Sequence, residues 1–387
     1  MIRGLCLCIL LIGLTVHATV SSDYNNRFKT LVEGLPSSSL KNELSTCSSA
    51  PLRISEFSIS HRGAPLGFPE HTREGYLAAI EMGAGSIECD AVLTKDRQLV
   101  CRHSQCDLHR TTNILQTDLS GSCVEPFEAG ENDSNASAKC CVSDITLKEF
   151  KSLCGRDDRV DLRATSVDQY LLDRPPLNPD ITQVGCGTLL SHKESIGLIG
   201  RHGRKYIPEL KKIDSVSLRI MGLSLEQYAD MLLGEYRNSE VEASTVFPQS
   251  FDSRVVDHWL TSHPDFANNV VYLDGRGRNP LFLPSRRDMD NLFNKGLRYI
   301  APPIPMLLKQ DDNGDLRETA YARYAIQSGL KLITWTMESR LSDITGFSNQ
   351  DSDRLLVLDA LHRRAQVSGV FSDWPATVTR YANCMGL

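Results

Sequence analysis

From residue 57 onward, short runs rich in β-branched and aromatic residues recur along the chain, separated by stretches with helical spacing. The runs are 57–60, 86–93, 206–208, 245–247 leading to 249–251, 270–274, 299–302, 332–336 and 369–373. Apolar positions three and four apart mark helices over 72–82, 225–236, 252–261, 286–294 and 320–328. Eight strands alternating with helices predict an α/β fold of the (β/α)₈ TIM-barrel type, with a doubly wound sheet as the alternative. One connection breaks the alternation. Residues 94–98 are too few for a crossover helix, so 99–103 returns antiparallel to the second strand as a β-hairpin. A two-residue loop at Asp96 and Arg97 pairs Lys95 with Gln98 and sets Asp90 opposite His103.

Several strand runs end in side chains able to do chemistry. His61 and Arg62 follow the first, Glu88 and Asp90 lie in the second, and Glu209 and Lys211 follow the third; Gln249, Trp335 and Asp373 stand at later ends. A barrel builds its active site at the C-terminal ends of its strands. Glu88 and Asp90 are two apart in a strand and so face the same way. Carboxylates converging like this repel unless a cation sits between them, and with Glu209 they offer three hard oxygen ligands suited to Mg²⁺ or Ca²⁺. A salt-bridge cluster with Arg62 and Lys211 is the plainer alternative. His61 and His103 can give and take protons near neutrality, whereas a lone histidine is more often a core or surface residue. Arg62 and Lys211 suit phosphate, one as a planar fork and the other as a point charge. Glu70 orients Arg62, binds a substrate hydroxyl, or simply opens the helix after Thr72. Trp335 reads as a pocket wall, with a core residue as the alternative. His71, His109, His192, His202, His258, His263 and His362 show no partner pattern and receive no role.

Residues 1–18 contain Arg3, the apolar core LCLCILLIGL and a small residue at Ala18, as in a secretory signal peptide. The core is too short to cross a membrane, and no later stretch is apolar enough to do so; a buried N-terminal helix is the other reading. Residues 19–55 form an N-terminal extension and 56–387 the barrel. The net charge of −6 leaves no basic footprint for nucleic acid. Cys6 and Cys8 leave with the signal, and the ten remaining cysteines, an even number in an exported chain, favour disulfides of open connectivity. Cys89 faces away from Glu88 and Asp90 and reads as a small core residue. Between His103 and Glu209 the chain is far longer than one βα unit needs. Within 104–204 lie Cys106, Cys123, Cys140, Cys141, Cys154 and Cys186, and the glycosylation tripeptides at Asn132 and Asn135. This is a disulfide-stapled insertion, expected to cap the pocket.

The run HRGA (61–64), PEHT (69–72), a helix ending in GA, ExD (88–90), LTKD (93–96), LV and His103 resembles the glycerophosphodiester phosphodiesterase family of the phospholipase-C-like barrel class. Later similarities are YIPELK (206–211), QSF (249–251), WT (335–336) and GVFSDWP (369–375). Ser104 stands where the family usually carries Asp. The resemblance implies metal-dependent hydrolysis of a small glycerophosphodiester to sn-glycerol 3-phosphate and an alcohol. His61 and His103 would be the catalytic pair, with Glu88, Asp90 and Glu209 as metal ligands. His103 opens the long insertion, where a bulky alcohol would leave, which makes it the acid and His61 the base. A sphingomyelinase-D-like or phosphoinositide-phospholipase-C-like lipid phosphodiesterase, or a non-catalytic surface protein on the same barrel, are the alternatives. Oligomeric state is not set by the sequence.

Overall fold

The computed structural model describes residues 24–131, 134–171, 185–279, 281–342 and 350–387. The expected signal peptide and Asn132 lie outside the described residues, while Asn135 is exposed. Eleven strand segments join in one sheet. The barrel strands, in chain order, are Ser55–Ser60; Ala84–Ile87 continued by Asp90–Leu93; Lys205–Tyr206 continued by Glu209–Leu210; Gln249–Ser250; Val271–Leu273; Tyr299–Ala301; Lys331–Thr334; and Gly369–Ser372. They coincide with the eight runs. All pair in parallel, and the eighth closes on the first with Ser58 opposite Val370 and Ser60 opposite Ser372.

Two packed layers hold the barrel. Ile59, Ile207, Val271, Leu273, Ala301, Ile333 and Phe371 fill its interior. Outside, the apolar faces of helices such as Arg73–Glu81, Leu225–Asn238, Ser253–Ser262 and Ala320–Gln327 cover the strands. Each of these four helices starts where a polar side chain takes an orphan N–H. Thr72 accepts from Gly75 N (3.2 Å) and Asp252 from Arg254 N (2.9 Å).

The hairpin forms, but its register corrects the expectation. Leu93 pairs with Leu99 and Ala91 with Cys101, one residue away from the expected pairing. The loop holds three residues rather than two: Thr94 N donates to Gln98 O (3.0 Å), and Arg97 takes a left-handed φ of 57°. Left-handed geometry at the last loop position is the habit of three-residue hairpins. A slip of one residue exchanges the faces of a strand, so Arg102, not His103, comes opposite Asp90 and donates its N–H to Asp90 O (2.8 Å). His103 follows the end of the ladder, where the chain is free to bend.

Cys89 is likewise not a plain core residue; it is bonded to Cys101 across this hairpin. Cys106–Cys141, Cys123–Cys140 and Cys154–Cys186 staple the insertion, which has a hydrophobic cluster of its own around Phe150, Val142 and Ile114. Cys47–Cys384 ties the N-terminal helices Tyr24–Gly34 and Ser39–Cys47 to the last helix, Pro375–Met385. All ten cysteines among the described residues are paired.

Candidate active site

The first strand stops at Ser60, and the chain turns sharply at the rim. Arg62 and His71 both adopt left-handed φ of 53° and are joined by His71 N–H to Arg62 O (2.8 Å). Such a conformation costs about 1–3 kcal/mol for a non-glycine residue and persists where surrounding contacts enforce it. Here the Arg62 N–H donates to Glu88 Oε2 (2.9 Å) and its guanidinium to Glu70 Oε2 (2.9 Å). Gly63 is required beside it, because a Cβ there would meet the backbone carbon of Gly75 at 2.9 Å.

Glu88, Asp90 and Glu209 come together, each offering an oxygen within 4.8 Å of the others, and all three are buried. Adjacent parallel strands produce this: Glu209 sits in register with Asp90 and with Gln249. Burial and the neighbouring Asp90 push Glu88 well above the usual carboxylate range. Burial, with Asp90 and Glu88, raises Glu209 to about 8 despite Lys211 at 2.8 Å. Asp90 goes the other way: burial opposes its charge, but Lys211 and His71 hold it ionised. Asp90 Oδ1 is buried and accepts no hydrogen bond. Three converging oxygens, two of them on carboxyls that would otherwise keep their protons, fit a hard divalent cation.

His61 presents Nδ1 to Asp373 and Nε2 to Glu88 Oε2 (4.0 Å). Asp373 is itself fixed, its N–H donating to Glu338 Oε2 (2.7 Å). His103 is held neutral, its pKa lowered to about 3 by burial and by the Arg62 and Lys211 charges, with Asp90 opposing. The segment after it is anchored by Ser104 N–H donating to Asp107 Oδ2 (2.8 Å).

His61, Arg62, Glu88, His103, Glu209, Lys211 and Trp335 line one cavity of about 280 Å³, together with Phe251, Arg278 and Phe371. Asp90 lies beneath it, 3.9 Å from Lys211 Nζ and 3.7 Å from Arg62 Nε. Trp335 is a wall, its indole N–H donating to Ala301 O (2.8 Å) and its ring edge-on to Phe251. Glu70 does not line this cavity. It borders a second one of about 200 Å³, shared with His61, Arg62 and Asp373 and walled by Asp157, Asp158 and Arg159 of the insertion.

Four participants lacked an assignment from the sequence. His71 is fully buried, its Nε2 on Asp90 Oδ2 and its Nδ1 on the Tyr76 hydroxyl (both 2.9 Å). Gln249 donates to Glu88 Oε1 (2.9 Å). Asp373 backs His61. Arg102 is buried and donates to the carbonyls of Cys101 (2.8 Å) and Glu70, tying the hairpin to the PEHT turn. Position at a strand end marked Gln249 and Asp373, and adjacency to Glu70 marked His71.

Residues 61–193 match the profile of the Glycerophosphoryl diester phosphodiesterase family. A protein of Arthroderma benhamiae named Extracellular protein is 35% identical over 240 residues, 58% of this chain and 98% of its own length. The Glycerophosphodiester phosphodiesterase of Bacillus subtilis is 26% identical over 245 residues, covering 57% of this chain and 78% of its own. The chain belongs to the glycerophosphoryl diester phosphodiesterase family. Solved structures share the barrel. An Oleispira antarctica phosphodiesterase in complex with sn-glycerol-3-phosphate aligns with TM-score 0.53 and 16% identity, covering 88% of this chain and 99% of that one. A glycerophosphoryl diester phosphodiesterase from Parabacteroides distasonis gives 0.53 and 17%, covering 90% and 93%. The family match includes His61, Arg62, Glu88, Asp90 and His103 but ends before Glu209 and Lys211, which the barrel brings to the same cavity.

Proposed function

We propose that this chain is a metal-dependent phosphodiesterase that hydrolyses glycerophosphodiesters to sn-glycerol 3-phosphate and an alcohol. The observation that carries the reading is the cavity itself: three buried carboxylates beside two histidines, an arginine and a lysine. Glu88, Asp90 and Glu209 would hold Mg²⁺ or Ca²⁺, which when bound supplies positive charge to the phosphate and glycerol oxygens. Arg62 and Lys211 then offset the remaining phosphate charge as it builds toward the transition state. Trp335, Phe251 and Phe371 give the glycerol carbons an apolar wall.

The histidines divide the proton work, and geometry favours the reverse of the order expected from the chain. His61 borders the second cavity, which the insertion walls, while His103 does not. An alcohol leaving toward the insertion therefore passes His61, whose ring is held in orientation by the Asp373 carboxylate at Nδ1. His103, held neutral, is suited to take the proton of the incoming water or hydroxyl. Glu70 fixes Arg62 for phosphate.

Export is part of the same reading. The 1–18 leader, five disulfides and a relative named Extracellular protein support a secreted location, and no described helix is long and apolar enough to cross a membrane. The test is a substrate panel on purified protein: glycerophosphocholine, -ethanolamine and -inositol, and a lysophospholipid. Turnover of at least one, lost on chelation and restored by Mg²⁺ or Ca²⁺, is expected. Full activity after demonstrated metal removal would sink the metal assignment.

A further inference from the structure

The loops after the third, fourth and fifth barrel strands carry large apolar side chains in water. Leu281 and Leu283, between the fifth strand and helix Arg286–Asn294, are each 84% exposed. Ile220 (81%) and Val216 (59%) lie on the short helix Ser215–Ile220 after the third strand, and Phe251 (38%) directly follows the fourth. These three strands are neighbours in the barrel, so their loops share one arc of the catalytic rim. Single exposed leucines are ordinary, but five large side chains on one arc form a patterned surface of the kind that marks an interaction site. The helix is not simply loose, since it buries Leu218 while Val216 and Ile220 face solvent.

The arc joins the catalytic cavity. Phe251 and Arg278 line that cavity, and the Arg278 guanidinium lies 5.6 Å from the Phe251 ring centre and 5.9 Å from that of Trp335. Charge follows the same arc. Lys212, Arg219, Arg278 and Arg287 are exposed and make no ion pair among the described residues, outnumbering the similarly unpaired Asp214 and Glu226. This is a local positive excess on a chain of net charge −6. Apolar tips flanked by cations at the mouth of a phosphodiester site match an anionic lipid surface, whose headgroups meet the cations while the tips enter the acyl boundary.

We propose that this arc docks the protein on anionic lipid surfaces, presenting interfacial phosphodiesters to the catalytic cavity. Docking stands apart from the proposed activity; only the fate of the lipid rests on that reading. Sedimentation of the purified chain with vesicles of phosphatidylcholine, with and without phosphatidylserine, tests it. The chain should pellet with the anionic vesicles. The double variant Leu281→Ser, Leu283→Ser should bind them about 10²-fold more weakly, since each buried leucine side chain contributes on the order of a tenfold gain or more. Lys212→Gln with Arg287→Gln should weaken binding to anionic vesicles alone. Hydrolysis of soluble glycerophosphocholine, unchanged in both variants, reports that fold and cavity are intact. If the native chain stays in the supernatant with both vesicles, or the leucine variant pellets equally, the proposal is overturned. A concentration-dependent dimer abolished by the leucine variant, without vesicle binding, overturns it in favour of a contact between copies. Vesicle binding without turnover of any diester leaves docking standing and removes the catalytic reading.

Discussion

Cation binding at the three carboxylates should release protons, in an amount that follows from their surroundings. Without a cation, Glu209 is held at about 8 by burial and by Asp90 and Glu88, and Glu88 lies well above the usual range, while Asp90 alone is held ionised. A divalent cation needs these carboxyls deprotonated, so protons compete with it. Each pH unit below the Glu209 value costs about 1.4 kcal/mol, a factor of ten in affinity. Between pH 8 and pH 6 that group alone should weaken binding roughly 10²-fold, and Glu88 adds to it. Stability carries the opposite sign. A carboxyl raised by folding stabilises the folded chain below its ordinary value near 4.5, and that contribution is lost as pH rises toward 8. The metal-free protein should therefore melt lower at pH 8 than at pH 6, and the gap should close when Mg²⁺ or Ca²⁺ is added. Titration calorimetry at several pH values, in buffers of different ionisation enthalpy, counts the protons released. About one or more per ion near neutrality is expected, and Glu209→Gln should remove one of them. Affinity that is flat with pH, with no proton release, refutes the reasoning.

Three further outcomes are expected. Glu88→Gln and Asp90→Asn should each weaken divalent-ion binding at least about tenfold, each deleting one ionised ligand, while circular dichroism stays native. His61→Ala should lose ~10²–10⁴-fold on glycerophosphocholine and far less on glycerophospho-p-nitrophenol, whose leaving group needs little protonation, while His103→Ala should fail on both; the opposite pattern exchanges acid and base. Opening Cys47–Cys384, which closes a sequence separation of 337, should cost up to about 6 kcal/mol on chain entropy, against about 3 for Cys89–Cys101 at a separation of 12. Melting the two double-serine variants should rank them in that order, and equal melting temperatures contradict it.

The barrel was legible because each strand is a short β-branched run set between helical periods, and that signal is local. The site was legible to the extent that it is local too. Glu88 and Asp90 announce a shared face by spacing alone, and His61 and Arg62 by ending a strand. The hairpin register was not readable, because it turns on a left-handed Arg97 in a loop without glycine. Asp373 and Gln249 showed only as polar strand ends, since their partners His61 and Glu88 lie 312 and 161 residues away. His71 hid for a related reason: its partner Asp90 is close in sequence but reached only once the PEHT turn folds under the second strand. Cysteine parity predicted disulfides, but pairing is a tertiary property, and Cys89 was misread for lack of it.

The central claim is tested most directly by following the isotope in hydrolysis of glycerophosphocholine in H₂¹⁸O with Mg²⁺ or Ca²⁺ present. Direct attack by water, or opening of a cyclic phosphate by water, both put the label on phosphorus. Mass spectrometry should therefore find sn-glycerol 3-phosphate carrying one ¹⁸O beside unlabelled choline. Failure to cleave any glycerophosphodiester of the panel, or cleavage of glycerophosphocholine to phosphocholine and glycerol, would contradict the account.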